Sequence, residues 1–164
     1  MVKTRNVNRQ IIGIDPGIGG GLCCLGYWCG IVSLVKMPQT ERDQWEWFES
    51  LPTCGDRLAL IEWIHPAIQG IGKSPMSKLY GNYMAMRAFL IARHIPFQDI
   101  KPRKWQQALD ISKRKPTENS TKWKNRLKGV AQQLYPKQKL TLATADALLI
   151  ATVCHRLRQG GTVE

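Results

Sequence analysis

QIIGIDPGIGGG, from Gln10 to Gly21, is an Ile-rich run that ends on an acid and dissolves into glycine. Residues 10–15 read as a strand, and Pro16-Gly17 with Gly19, Gly20 and Gly21 stops it where the backbone can turn tightly. Two more apolar, partly β-branched runs follow at 21–28 and 31–37, split by Cys29-Gly30. Together the three predict consecutive strands of an antiparallel meander. The period then changes. ERDQWEWFES, Glu41–Ser50, is polar with Trp45, Trp47 and Phe48, and fits a short amphipathic helix. Residues 57–63 contain the unbroken apolar run Leu58-Ala59-Leu60-Ile61, as a buried central strand would, with Glu62 at its C-terminal end.

Residues 65–77 hold two prolines and two glycines with few apolar anchors and read as a long loop, a kind that is usually functional or mobile. Residues 76–94 form a mostly apolar helix stopped by Pro96; a helix apolar on more than one side often buries its second face against a partner. A short strand at 97–100 and a short helix at 103–109 opened by Pro102 come next, then a basic loop at 112–120. The helix at 121–134 sets Trp123, Leu127, Val130, Ala131 and Leu134 on one side and Lys122, Arg126 and Lys128 largely on the other. A last helix covers 142–157. This order predicts the α/β class, a mixed β-sheet flanked by α-helices. One domain spans residues 10–158, between a flexible basic arm (1–9) and a flexible tail (159–164).

The 164 residues, 43% hydrophobic and 22% charged, suit one domain with a real core. The apolar stretches fall far short of the roughly 20 residues a bilayer requires, so no membrane partner is expected. The first ten residues are polar and lack the apolar centre of a signal peptide. Five cysteines without any C-x-x-C pair indicate neither a disulfide framework nor a zinc module. They are expected to be buried thiols in a reducing, intracellular setting: cytoplasm, nucleoid or an organelle. Charge is uneven: residues 1–100 carry ten Lys and Arg against eight Asp and Glu, whereas 101–164 carry fourteen against four. Eleven of those fourteen lie between 101 and 137, opposed only by Asp110 and Glu118. Such a segment is either a solvated face or, the stronger expectation, a binding surface for nucleic acid.

Three carboxylates stand in apolar surroundings. Asp15 ends the first strand, Glu62 ends the buried one, and Asp146 lies early in the apolar TLATADALLIATV. Each alone has bland readings as a cap, a turn former or a surface residue. Jointly they are costly to bring together unless a divalent cation compensates them. Two-metal phosphodiester hydrolysis fits, with Mg2+ ions about 3.5 to 4 Å apart activating water and stabilising the leaving oxygen. Histidines are few and unpaired in zinc spacing, which argues against a zinc hydrolase. Trp105 and Trp123 lie in basic segments; they are read as core, with stacking on exposed bases the alternative.

The strand IIGIDPGIGGG, the acid of LALIEWI, the helix SKLYGNYMAMRAFLIARHIP, the segments KPRKWQQAL and KWKNRLKGVAQQLYP, and the final ADALLIA together resemble the RuvC-type Holliday junction resolvases. The ordered set spans about residues 10 to 157 and is most similar to compact phage, poxvirus and plastid forms. The resemblance implies an RNase H-like fold and a homodimer that nicks branched DNA, a four-way junction, symmetrically, leaving 5′-phosphate and 3′-hydroxyl ends. It implies two Mg2+ per active site, with Mn2+ as a substitute. Asp15, Glu62 and Asp146 match metal-binding acids, and Lys124 matches a basic residue used near the scissile phosphate. Lys113, Arg114 and Lys115 fall in the adjoining basic loop, Lys122 and Lys128 on the basic helix, and Lys73 and Lys78 where the junction centre is approached; all seven are expected DNA contacts. The helix at 76–94 would form much of the dimer interface. One position departs: a further Asp or His usually stands one turn before the last acid, and here it is Ala143. Thr141 and Thr144 are poor substitutes, so either water or a residue such as His65 completes the set or one metal is held weakly.

Two other readings compete. G-I-D-x-G-x-G-G is also similar to the first phosphate loop of actin-like and sugar-kinase ATPases, but those folds need two such domains and far more chain, so no nucleotide cofactor is expected. A catalytically silent branched-DNA-binding module of the same fold is the other, to which Ala143 lends weight.

Overall fold

The computed structural model describes residues 9–26, 28, 30–53, 55–66 and 72–160. The expected arm through residue 8, the last four tail residues, Cys29, Cys54 and residues 67–71 of the expected loop lie outside the described residues. Strand β1 (Arg9–Asp15) is central in a five-stranded sheet of order β3-β2-β1-β4-β5. It pairs antiparallel with β2 (Gly21–Leu25), Ile12 opposite Cys24, and β2 pairs antiparallel with β3 (Ile31–Lys36). On its other side β1 runs parallel to β4 (Asp56–Glu62), Ile12 opposite Ala59, and β4 runs parallel to β5 (Phe97–Ile100). The expected meander and mixed sheet are both present.

A parallel pair needs a crossover, and helix α1 (Glu41–Ser50) supplies it between β3 and β4, while α2 (Lys73–Ala92) links β4 to β5. Alternate residues of the central strands face opposite layers. Ile12, Ile14, Ala59 and Ile61 pack with Trp47 and Phe48 of α1 and Tyr83, Met86 and Leu90 of α2. Ile11, Cys23, Leu25 and Leu60 point the other way, into a layer of α3 (Pro102–Gln107), α4 (Ser120–Leu134) and α5 (Leu142–Arg158). Helices on both faces explain why β1 and β4 read as continuous apolar runs. Helix α5 starts with a reciprocal Thr141–Thr144 capping box, and every residue from Thr144 to His155 is buried. It crosses β1 at Gly13, where an added Cβ would overlap the Ala147 carbonyl and the Ala151 amide.

The structure corrects two expectations. The expected loop at 65–77 ends earlier than the sequence suggests, because α2 begins at Lys73 with Gly72 as its N-cap. Pro75 falls in the first turn, where amides lack an intrahelical partner anyway, so it is compatible with the helix. Lys73 is therefore a helix residue. The second strand stops at Leu25, and Trp28 stands in the turn beyond it, 76% exposed. Cys23 and Cys154 are buried free thiols, as expected of them, and Cys24 is buried as well. No helix among the described residues is long and apolar enough to cross a membrane.

Candidate active site

Parallel pairing of β1 with β4 sets two acids side by side. Ile14 lies opposite Ile61, so the next step along each strand is Asp15 and Glu62, at the C-terminal edge of the sheet. The first turns of α5 lie over the same edge and bring Asp146 there. Asp15 and Asp146 are 7% and 5% exposed, far drier than ordinary carboxylates. The Gly17 amide donates to Asp15 Oδ1 at 3.0 Å. Gly20 clears room for that carboxyl, since a Cβ there would stand 2.5 Å from Asp15 Cγ. The glycines after the first strand thus shape the Asp15 pocket as well as the turn.

Lys124 reaches in from α4. Its ammonium pairs with Asp146 Oδ2 and lies 3.9 Å from Asp15 Oδ2. The indole N–H of Trp105 donates to Glu62 Oε2 at 2.7 Å. Trp105 is 1% exposed, so it is core, as the sequence suggested, but its polar edge also orients a site acid. Sequence reasoning missed this role; the signal for it was that a buried Trp requires an acceptor.

The electrostatics follow from the crowding. Burial raises the Asp15 carboxyl, helped by the Asp146 charge and opposed by Lys124 and the Gly17 N–H. Burial likewise drives Glu62 up to about 8, with Asp15 and Asp146 adding and the Trp105 N–H and Lys124 opposing. For Lys124 burial works downward, but the charges of Asp146 and Asp15 outweigh it and the ammonium is held above its usual value. The cluster therefore calls for positive charge, and one lysine only partly supplies it.

No three Asp, Glu, His or Cys side chains among the described residues already enclose a metal-sized space. The donor chemistry nonetheless fits a hard divalent cation. All three acids offer oxygen, and Asp146 Oδ1 is buried without a hydrogen-bond partner. Ala143 offers no side-chain donor, and Thr141 and Thr144 are engaged in each other's capping bonds. His65 is exposed, its ring edge-on to Trp63 at 5.4 Å.

Lys113, Arg114 and Lys115 are exposed on the loop that leads into α4. Arg126 clamps this loop: it donates to Ser112 Oγ at 2.7 Å, to the Lys113 carbonyl at 3.1 Å and to Glu118 Oε2 at 2.9 Å. Glu118 in turn accepts from the Lys115 amide at 3.2 Å, and its carbonyl accepts from Arg114 Nε at 2.8 Å. Trp123 lies half-buried under the Arg126 guanidinium, 4.5 Å from ring centre to Cζ. Lys122 is exposed and Lys128 half-buried on α4. Lys73 and Lys78 are exposed on α2; Lys78 borders a hollow of about 550 Å3 shared with Ile18 and Asn82. Asn82 Nδ2 donates to the Pro16 carbonyl at 2.5 Å, and Asn82 Oδ1 accepts from Gln44 at 2.6 Å. This chain of amides ties α1 and α2 to the turn after Asp15. Neither Gln44 nor Asn82 stands out in the sequence.

Neither family models nor curated proteins match this sequence. Among solved structures, the fold is similar to Thermus thermophilus RuvC in complex with a Holliday junction substrate, with a TM-score of 0.59 and 17% identity over 92% of this chain and 96% of that one. A second Thermus thermophilus RuvC structure gives a TM-score of 0.52 and 16% identity over the same shares. At such identities the shared property is the backbone arrangement. The mixed five-stranded sheet with flanking helices therefore has the RuvC, RNase H-like fold.

Proposed function

We propose that this chain is a metal-dependent endonuclease that nicks four-way DNA junctions symmetrically, leaving 5′-phosphate and 3′-hydroxyl ends. The observation that carries the reading is the meeting of Asp15, Glu62, Asp146 and Lys124 at one sheet edge, beside an exposed basic loop. The RuvC-like fold, seen in a protein solved with junction DNA, supports branched DNA as substrate. Asp15, Glu62 and Asp146 would hold Mg2+, or Mn2+ in its place, two ions per site. Bound metal supplies Lewis acidity and an activated water for in-line displacement.

The chain's own residues do the rest. Trp105 fixes the rotamer of Glu62, Gly17 fixes that of Asp15, and burial keeps bulk water from Asp15. Lys124 offsets negative charge that accumulates when a phosphodiester enters. Lys113, Arg114, Lys115, Lys122 and Lys128 hold the backbone of the DNA, and Lys73 and Lys78 meet it on the α2 side. Two copies pair through α2, placing two sites on one junction, in a reducing intracellular compartment.

The test is cleavage of a labelled synthetic four-way junction beside linear duplex, with Mg2+ or EDTA, by wild type and Asp146→Asn. Paired symmetric nicks from wild type with Mg2+ alone are expected. Tight junction binding without cutting in any divalent metal would establish the silent DNA-binding module instead, with Lys124 as a permanent substitute for the cation.

A further inference from the structure

The end of the sheet opposite the carboxylates carries a feature the proposed reaction does not use. There the start of β4, the end of α2 and the end of α5 enclose a bay of about 550 Å3, walled by Asp56, Arg57, Arg93, His94 and Arg158. Its one carboxylate is already committed. Asp56 is gripped by Arg9 at 2.6 Å and Arg158 at 2.9 Å. Arg57 and Arg93 form no ion pair among the described residues, and the buried Nε of each lacks a hydrogen-bond partner. Among the described residues Arg57 hydrogen-bonds only the Pro52 carbonyl, at 3.4 Å, and Arg93 lies 6.0 Å from the Trp45 ring centre. Helix C-termini draw cations, which accounts for Arg93 and Arg158. It does not account for Arg57, which is on a strand, nor for guanidinium N–H groups left unsatisfied in a partly dry wall.

We infer that this bay is a second anion site, which takes a phosphate group between Arg57 and Arg93. Phosphate oxygens suit it because planar guanidiniums bind them with paired, charge-assisted hydrogen bonds. Strand β4 connects the bay to Glu62, and its six steps at about 3.3 Å put the two roughly 20 Å apart. A phosphate at the carboxylates cannot also reach the bay. The occupant is either a different stretch of the DNA backbone or a free phosphorylated molecule. The inference does not depend on nuclease activity.

The experiment titrates the full chain with inorganic phosphate, following the arginine Nε–H resonances by NMR. It also measures junction affinity against salt for wild type, Arg57→Gln/Arg93→Gln and the charge-keeping Arg57→Lys/Arg93→Lys. Saturable shifts of the Arg57 and Arg93 signals are expected. If the backbone is the occupant, the Gln pair also lowers the log–log salt slope by about 0.9 for each phosphate it no longer neutralises, and the Lys pair largely keeps it. Saturable shifts with an unchanged slope assign the bay to a free phosphorylated ligand. Absence of saturable shifts together with an unchanged slope overturns the site, and the wild-type titration decides this even if a variant misfolds.

Discussion

Trp105 is the residue whose role is most easily isolated, because it touches Glu62 without being an acid itself. Trp105→Phe keeps most of the apolar volume and deletes the indole donor. Partners that orient ligands in this way are worth about 10–100-fold in metal affinity or activity, so a loss of that size in Mg2+-dependent cleavage is expected, measured well below the melting temperature because the smaller ring also leaves a core cavity. Equal activity in a Mg2+ titration would remove Trp105 from the site. Glu62 gives a second test, through pH. Its folded pKa of about 8 lies above the ordinary 4.5, so the native state holds a proton that the unfolded chain releases between those values. That stability is full below about pH 4.5 and lost as pH rises through about 8; raised Asp15 acts with the same sign. In EDTA the melting temperature is expected to fall from pH 5 to 8 more steeply for wild type than for Glu62→Gln. Mg2+, which takes the proton's place, is expected to flatten the wild-type curve. Parallel wild-type and variant curves in EDTA would show that Glu62 is not the titrating group.

At the scale of elements, strand positions were legible because both faces of β1 and β4 are covered and their apolar runs are unbroken. Asp15, Glu62 and Asp146 were legible for the same reason, as acids interrupting apolar runs. The start of α2 was not, because Pro75 carries a loop signal that a first helical turn tolerates equally well. Nor was the loop clamp, since Arg126 sits in a row of similar cations and only its bonds to Ser112, Lys113 and Glu118 distinguish it. That difference predicts behaviour. If Arg126 orders Lys113, Arg114 and Lys115 for phosphate, Arg126→Gln loosens all three cations at once, and the salt slope of DNA binding falls by more than the roughly 0.9 that a single phosphate accounts for. A fall of about one would make Arg126 an ordinary phosphate ligand. The α5 crossing is equally specific. Gly13→Ala places a methyl against helix backbone that cannot rotate away, and a destabilisation of about 3 kcal/mol in denaturant unfolding is expected.

For the whole molecule, one chain presents one carboxylate cluster, and symmetric nicking of a junction requires two. The sheet accounts for only one side of α2: Tyr83, Met86 and Leu90 are buried against it, while Met84 and Ile91 are 46% and 64% exposed. Met84 and Ile91 are seven residues apart and share a stripe, the spacing by which two helices pair. In the proposed dimer this stripe is covered by its copy in the partner. Ile91→Glu puts a charge on it, and because the position is mainly exposed, the fold of one chain should change in stability by only about 0.5 kcal/mol. Sedimentation is expected to show a dimer for wild type and a monomer for the variant. Cleavage is expected to change in kind as well as in rate, from paired nicks across one junction to single, uncoupled ones. A variant that stays dimeric and still delivers paired nicks would place the interface elsewhere, while a monomeric variant with undiminished pairing would separate symmetry of cutting from any dimer of this chain.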